Sequence, residues 1–143
     1  MILKQIYAEN AFLISELFSK DFSDGWNEKV LKESFESGRF FALGVFEKEQ
    51  LISVVTASVA GEDADIDAIC TRSEFTRQGY AERLILSLEN FLKDLKVKKI
   101  FLEVRESNIK ARSLYSKCGF KQISIRKGYY GGKEDAIIML KEI

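Results

Sequence analysis

One stretch constrains this chain more than any other. Between residues 79 and 95, Ala81, Leu84, Ile85, Leu88, Phe91, Leu92 and Leu95 recur at helical spacing and share one face. The segments on either side, 65–71 and 99–104, read instead as strands. A helix with so continuous an apolar stripe must lie against a sheet, and flanking strands supply one.

The rest of the chain fits around that unit. Residues 1–6 form a short edge strand, and residues 10–22 carry Phe12, Leu13, Leu17 and Phe18 at helical spacing, with an end near Ser23, Asp24 and Gly25. Asn27 caps a second helix to about Ser37, whose stripe is Val30, Leu31 and Phe35. Residues 40–46 and 51–60 read as a hairpin joined across 47–50, with a turn at 61–63. In 65–71, Ile66, Ala68 and Cys70 alternate against Asp65, Asp67, Ile69 and Thr71. Asn108 caps a further helix that stops at Gly119, and 120–126 and 135–140 are two last strands around a loop at 128–132. The expected fold class is α/β (α+β): one domain over residues 1–143, with a mixed sheet and helices on its faces.

Composition removes several chemistries. The chain has 143 residues, 46% hydrophobic, enough for one ordinary core. There is no histidine, so Ser-His-Asp and Cys-His nucleophile systems and His-ligated zinc are excluded, and no metal is expected. Cys70 and Cys118 lack metal or disulfide spacing and read as reduced, buried thiols in a cytosol. No base accompanies either, which argues against a covalent acyl-enzyme. Lys plus Arg and Asp plus Glu number 22 each, so no net field draws nucleic acid or membrane. No apolar run reaches 18 residues, and the opening MILKQIYAEN lacks the form of a secretory signal. A cytoplasmic protein, monomeric or weakly dimeric, is expected. For the absence of proline we have no physical account.

Thr76-Arg77-Gln78-Gly79-Tyr80-Ala81 opens the strong helix. Unpaired N–H groups and a partial positive charge sit there, small residues let an anion approach, and Arg77 adds a cation. Gly79 serves equally as a simple turn residue.

This segment resembles motif A of the GNAT superfamily, the Gcn5-related N-acetyltransferases, whose pattern is Arg or Gln, two residues, Gly, one residue, then Gly or Ala. Gly79 and Ala81 match; Thr76 stands where the family has a long side chain. A second block, Leu102-Glu103-Val104-Arg105-Glu106-Ser107-Asn108 followed by Ala111, Leu114-Tyr115 and Gly119-Phe120, is similar to the signature of the RimI-type branch. That branch acetylates the N-terminal alanine of a small-subunit ribosomal protein. A third, Arg126-Lys127-Gly128-Tyr129-Tyr130 with Glu134-Asp135-Ala136, resembles the same branch's tail.

The resemblance implies a mostly antiparallel sheet of six or seven strands in which two central parallel strands, 65–71 and 99–104, splay apart. Acetyl-CoA is the implied cosubstrate. Its pantetheine arm would follow the backbone of Ile69, Cys70 and Thr71. Its pyrophosphate would rest on Arg77, Gln78, Gly79, Tyr80 and Ala81. Asn108 would touch the cofactor, serve purely as a helix cap, or do both. Glu103 is the implied base and Tyr115 the implied acid, although a tyrosine on an amphipathic helix also serves as a core aromatic. Asp65 and Asp67 are a rival base pair or a solvated strand face, and Asp67 is also expected to meet the substrate. Tyr129 and Tyr130 wall the acceptor channel or stand as exposed loop aromatics. Glu134 pairs with the acceptor's terminus or with a basic side chain.

The acceptor chemistry favours an α-amine. Near pKa 7.9, about one tenth is neutral at pH 7; a lysine amine near 10.4 is neutral about once in 2,500. Acetylation of a small amine (polyamine, antibiotic or amino acid) is the alternative within the same chemistry. A non-catalytic acyl-CoA-binding module is the alternative outside it.

Overall fold

A computed structural model describes residues 1–19 and 26–143. Its strands are β1 (Ile2–Ile6), β2 (Phe40–Glu47), β3 (Gln50–Ala60), β4 (Asp63–Thr71), β5 (Lys99–Arg105), β6 (Lys121–Tyr130) and β7 (Glu134–Glu142). Its helices are α1 (Ala11–Phe18), α2 (Glu28–Glu36), α3 (Tyr80–Asp94) and α4 (Ile109–Lys117). The strands form one seven-stranded sheet in the order β1-β2-β3-β4-β5-β7-β6. All neighbours are antiparallel except β4 and β5.

Local sequence explains most of these elements. The Asn27 side chain accepts the Val30 N–H at 2.9 Å, and the Asn108 side chain accepts the Ala111 N–H at 3.2 Å, so α2 and α4 start where their caps stand. α3 buries Leu84, Ile85, Leu88 and Leu92 completely. At about 2 kcal/mol for each side chain withdrawn from water, that stripe anchors one face of the sheet. It packs with Ile100, Leu102 and Val104 of β5 and with Tyr115 of α4. On the other face α1 and α2 bury Ile14, Leu17, Phe18 and Leu31 against Ala42, Val54, Ala68 and Cys70.

Three expectations need correction. The first helix runs over Ala11–Phe18, after a 3-10 turn at Ala8–Asn10; the expected end near Ser23 to Gly25 lies outside the described residues. The strict alternation in β4 fails. Thr56 pairs with Ala68 and Ala57 with Ile66, so Asp67 is left out of the ladder as a bulge. Ile66 therefore joins the core under α3, while Ala68 and Cys70 join the core under α1. Finally, the expected loop at 128–132 shrinks to a turn over residues 131–133. β6 continues to Tyr130, through an irregularity between Arg126 and Tyr130 where Gly128 has φ 63° and donates its N–H to Asp135 at 2.9 Å. Glycine can absorb this left-handed turn and let the strand resume.

Candidate active site

β4 and β5 pair only through Asp63 with Lys99, Ala64 with Ile100 and Asp65 with Phe101. Beyond those three registers the strands part. On its β5 side, β4 from Ile66 onward pairs with no strand among the described residues, so it presents backbone N–H and C=O groups to whatever enters the gap.

A cavity of about 930 Å³ lies at the open end, between the start of α3 and the start of α4. Its wall includes Thr71, Arg77, Gly79, Tyr80, Ala81 and Asn108. Gly79 is the N-cap of α3, with φ 85° and no side-chain cap. The first N–H groups of α3 thus face the cavity without a side chain in the way, and a Cβ on Gly79 would meet nothing within 4 Å. Arg77 also has a left-handed φ of 63°, which keeps the turn tight at the mouth. This is the geometry of an anion cradle, and its donors suit a diphosphate. Thr76 also lines the cavity; its hydroxyl donates to the Ser73 carbonyl at 3.0 Å, so the short side chain shapes the loop.

The other residues expected to meet the cofactor are placed differently from one another. Ile69 packs against the α3 core. The Cys70 side chain is buried under α1, so only its backbone can face the gap. Thr71 shares a 2.7 Å hydrogen bond with Ser53. Gln78 is exposed and does not line the cavity.

Glu103 and Tyr115 lie on opposite faces of the sheet, and neither lines the cavity. Leu102 and Val104 belong to the α3–α4 core, so Glu103 between them points to the other face. Tyr115 comes from α4 one turn after Ala111, which lines the cavity. It is 6% exposed and packs edge-on against Phe120 with centroids 6.0 Å apart. Burial pushes its hydroxyl up to about 12, so it stays a proton donor at any ordinary pH. Tyr115 is therefore a core aromatic.

Carboxylates gather on the Glu103 face. Burial, then the charges of Glu103 and Asp63, raise Asp65. Asp67 is exposed along its outer edge but crowded within, and burial pushes it up to about 6 against the lowering effect of its hydrogen bond from Ser58. Arg126 Nη1 stands 2.9 Å from Glu103 Oε1 and lies over the Tyr129 ring at 4.4 Å. Beside it, Arg105 pairs with Glu134 at 3.1 Å and covers the Tyr130 ring at 4.0 Å. Glu134 also accepts the Ser107 N–H at 2.9 Å, so its partners are a basic side chain and a backbone amide. Tyr129 and Tyr130 meet edge to face, 5.1 Å apart, on the end of β6.

Ser58, Arg105 and Arg126 are the functional-site neighbours that sequence reasoning passed over as partners. The two arginines stood within the quoted motifs, but their pairings depend on β7 lying between β5 and β6. No group of three or more metal-ligating side chains occurs among the described residues. Nor is any helix there long and apolar enough to cross a membrane.

Comparison with known proteins gives consistent matches. The family model described as the acetyltransferase (GNAT) family matches residues 11–120. The [ribosomal protein bS18]-alanine N-acetyltransferase of Haemophilus influenzae is 32% identical over 142 aligned positions, 96% of each chain. The crystal structure of the ribosomal-protein-S18-alanine N-acetyltransferase from Escherichia coli superposes with a TM-score of 0.89 at 26% identity, covering 99% of this chain and 93% of that one. PaiA N-acetyltransferase from Thermoplasma acidophilum, solved in complex with coenzyme A, shares the fold, with a TM-score of 0.80 at 19% identity and full coverage of both chains.

Proposed function

The chain belongs to the acetyltransferase (GNAT) family, and we propose that it transfers an acetyl group from acetyl-CoA to the N-terminal α-amine of a ribosomal protein that begins with alanine. The observation that carries this reading is the parting of β4 from β5 after Asp65 and Phe101, above an uncapped helix start. A gap of this kind accepts an extended pantetheine arm as a short added strand, while the N–H groups from Gly79 to Ala81 take the diphosphate. Support for the acceptor comes from the named activity of the Haemophilus influenzae relative, which aligns with nearly the whole chain.

In this reading Glu103 takes a proton from the incoming ammonium, directly or through a water. The amine nitrogen then attacks the thioester carbonyl carbon; the C–N bond forms and the C–S bond breaks. Tyr115 donates a hydrogen bond, and finally its proton, to the departing sulfur; the acylated nitrogen sheds its second proton to water, and Tyr115 regains one from water. With the tyrosine near 12 and a free thiol near 8.5, complete transfer in a solvent-like setting would be uphill by about 5 kcal/mol. Burial raises the thiol as well, which narrows the gap. Tyr115 therefore acts first as a hydrogen-bond donor, and the proton moves as the thiolate's charge develops. Asn108 supports the cofactor from the start of α4, and Tyr129 and Tyr130 flank the acceptor. Asp67, whose neighbour Asp65 feels the charge of Glu103, is assigned to the acceptor's second residue.

One observation favours a second reading. Asp65 and Asp67 add two carboxylates to the Glu103 face, an environment that suits a polyamine. Two free, buried thiols support action in the reducing cytoplasm. The deciding experiment offers the protein acetyl-CoA with an alanine-starting ribosomal peptide, spermidine or free amino acids. Transfer to the peptide with the highest kcat/KM is expected. Rapid transfer to spermidine and none to the peptide would overturn the acceptor.

A further inference from the structure

Arg126 has no part in the scheme above, yet it occupies the carboxylate at the scheme's centre. It stands on β6 and Glu103 on β5, with β7 between them. The residue opposite Arg126 on β7 is Ala136, small and fully buried, so the arginine's stem can lie down across the strand. The guanidinium then meets Glu103 Oε1 through Nη1 alone, while the Tyr129 ring supports it from one side.

The neighbouring pair shows what a fixed arrangement looks like. Glu134 has both oxygens engaged, one by Arg105 and one by the Ser107 N–H. Its side chain is 24% exposed. Glu103 has one oxygen engaged, no backbone donor among the described residues, and a side chain 35% exposed, while the two arginines are equally exposed. Pairs exposed to this degree are weak and exchange readily. The cation–π seat on Tyr129 also gives the guanidinium somewhere to stay when it leaves Glu103.

We propose that Arg126 holds, in the free protein, the place at Glu103 that the acceptor's ammonium takes, so that acceptor binding exchanges one cation for another. This rests on the reading of Glu103 as the group that meets the acceptor amine. Arg126 is thereby a selectivity residue. An acceptor that arrives charged can replace the guanidinium, whereas a neutral one would leave Glu103 uncompensated. Once seated, the ammonium can lose its proton to Glu103; the guanidinium it displaced cannot, because arginine stays protonated.

The test compares the unmodified protein with Arg126→Met and Arg126→Lys. The peptide and spermidine serve as acceptors at saturating acetyl-CoA. Arg126 is exposed on an edge strand, so neither variant removes core packing. For Arg126→Met the acceptor KM is expected to fall two- to five-fold, the range of a weak exposed pair. Its kcat should stay within twofold and its acetyl-CoA KM unchanged. Arg126→Lys keeps a cation and should stay near the unmodified values. An unchanged or raised acceptor KM in Arg126→Met, or a tenfold loss of kcat, overturns the exchange. Calorimetry of spermidine binding without acetyl-CoA supplies a readout that needs no turnover. Tighter binding to Arg126→Met supports the exchange even if the peptide proves to be the wrong acceptor; equal, weaker or absent binding overturns it. Failure of the acceptor reading shows separately, as absence of peptide transfer by the unmodified protein.

Discussion

Ser58 on β3 donates its hydroxyl to Asp67 on β4 at 2.6 Å, across the point where Asp67 bulges out of the ladder. The bulge redirects β4 just past the last residue that pairs with β5. One irregularity thus turns the strand's side chains to a new face beside the gap and leaves Asp67 next to Asp65, which in turn feels the charge of Glu103. The Asp67 carboxylate titrates near 6, because burial and Asp65 outweigh the hydroxyl.

Asp67 makes stability fall with pH in a defined window. Its folded-state value, about 6, lies above the ordinary 3.8, so between those values the folded protein binds more protons than the unfolded chain. Stability contributed by the protonated form is full below about 3.8 and lost as pH rises through about 6. Asp67→Asn keeps an oxygen for Ser58 and removes the charge. It should melt at a higher temperature than the unmodified protein at pH 7.5 and at nearly the same temperature at pH 4. Thermal melts in matched buffers check this, and a gain present equally at both pH values would contradict it.

The same variant separates the two candidate bases. A general base typically contributes 10²- to 10⁴-fold. If Glu103 takes the proton, Glu103→Gln loses at least 100-fold in kcat/KM and Asp67→Asn less than tenfold. If Asp67 is the base, the order reverses, and the acidic limb of the pH–rate profile near 6 disappears in Asp67→Asn. We expect the first pattern. Initial rates from pH 5.5 to 9 with the unmodified protein and both variants give the answer.

Much of this architecture was legible in the chain, because local signals were strong. The α3 stripe, the Asn27 and Asn108 caps and the 40–60 hairpin follow from spacing and capping alone. The Asp67 bulge was not legible: Asp-Ile-Asp-Ala-Ile-Cys-Thr reads as a straight alternating strand, and only pairing with Thr56 and Ala57 exposes the extra residue. The Arg126–Glu103 pair was hidden for another reason. It requires the last strand to insert between the two before it, and strand order is a long-range choice no local pattern encodes. Residues 128–130 misled because glycine and paired tyrosines signal a turn, while Asp135 holds Gly128 within the hairpin.

Tyr115→Phe tests the acid without disturbing the core. The ring and its edge contact with Phe120 remain, so the melting temperature should move by less than about 3 °C, the scale of a change under 1 kcal/mol in a chain of this length. Affinity for coenzyme A should hold, since the N–H groups proposed to take the diphosphate are at the start of α3. The rate should fall by 10²-fold or more if the hydroxyl supports the departing thiolate. Turnover within threefold of the unmodified protein would leave Tyr115 as a core aromatic only.

Lys141 ties the end of α4 to both neighbouring layers. Its ammonium meets Glu89 of α3 at 2.5 Å and the Cys118 carbonyl at 2.7 Å, at the negative end of the helix that carries Tyr115. The side chains of Lys141 and Glu89 are 22% and 9% exposed, so this is an ion pair largely withdrawn from water. Lys141→Met leaves Glu89 buried without its cation, which typically costs about 3–5 kcal/mol. Glu89→Leu with Lys141→Met removes both charges and should recover most of that loss, because an apolar pair needs no compensation. Urea unfolding of the two variants measures the difference. A single substitution that costs under 1 kcal/mol would mean that the carboxylate finds water, and that α4 is held in place by its apolar contacts alone.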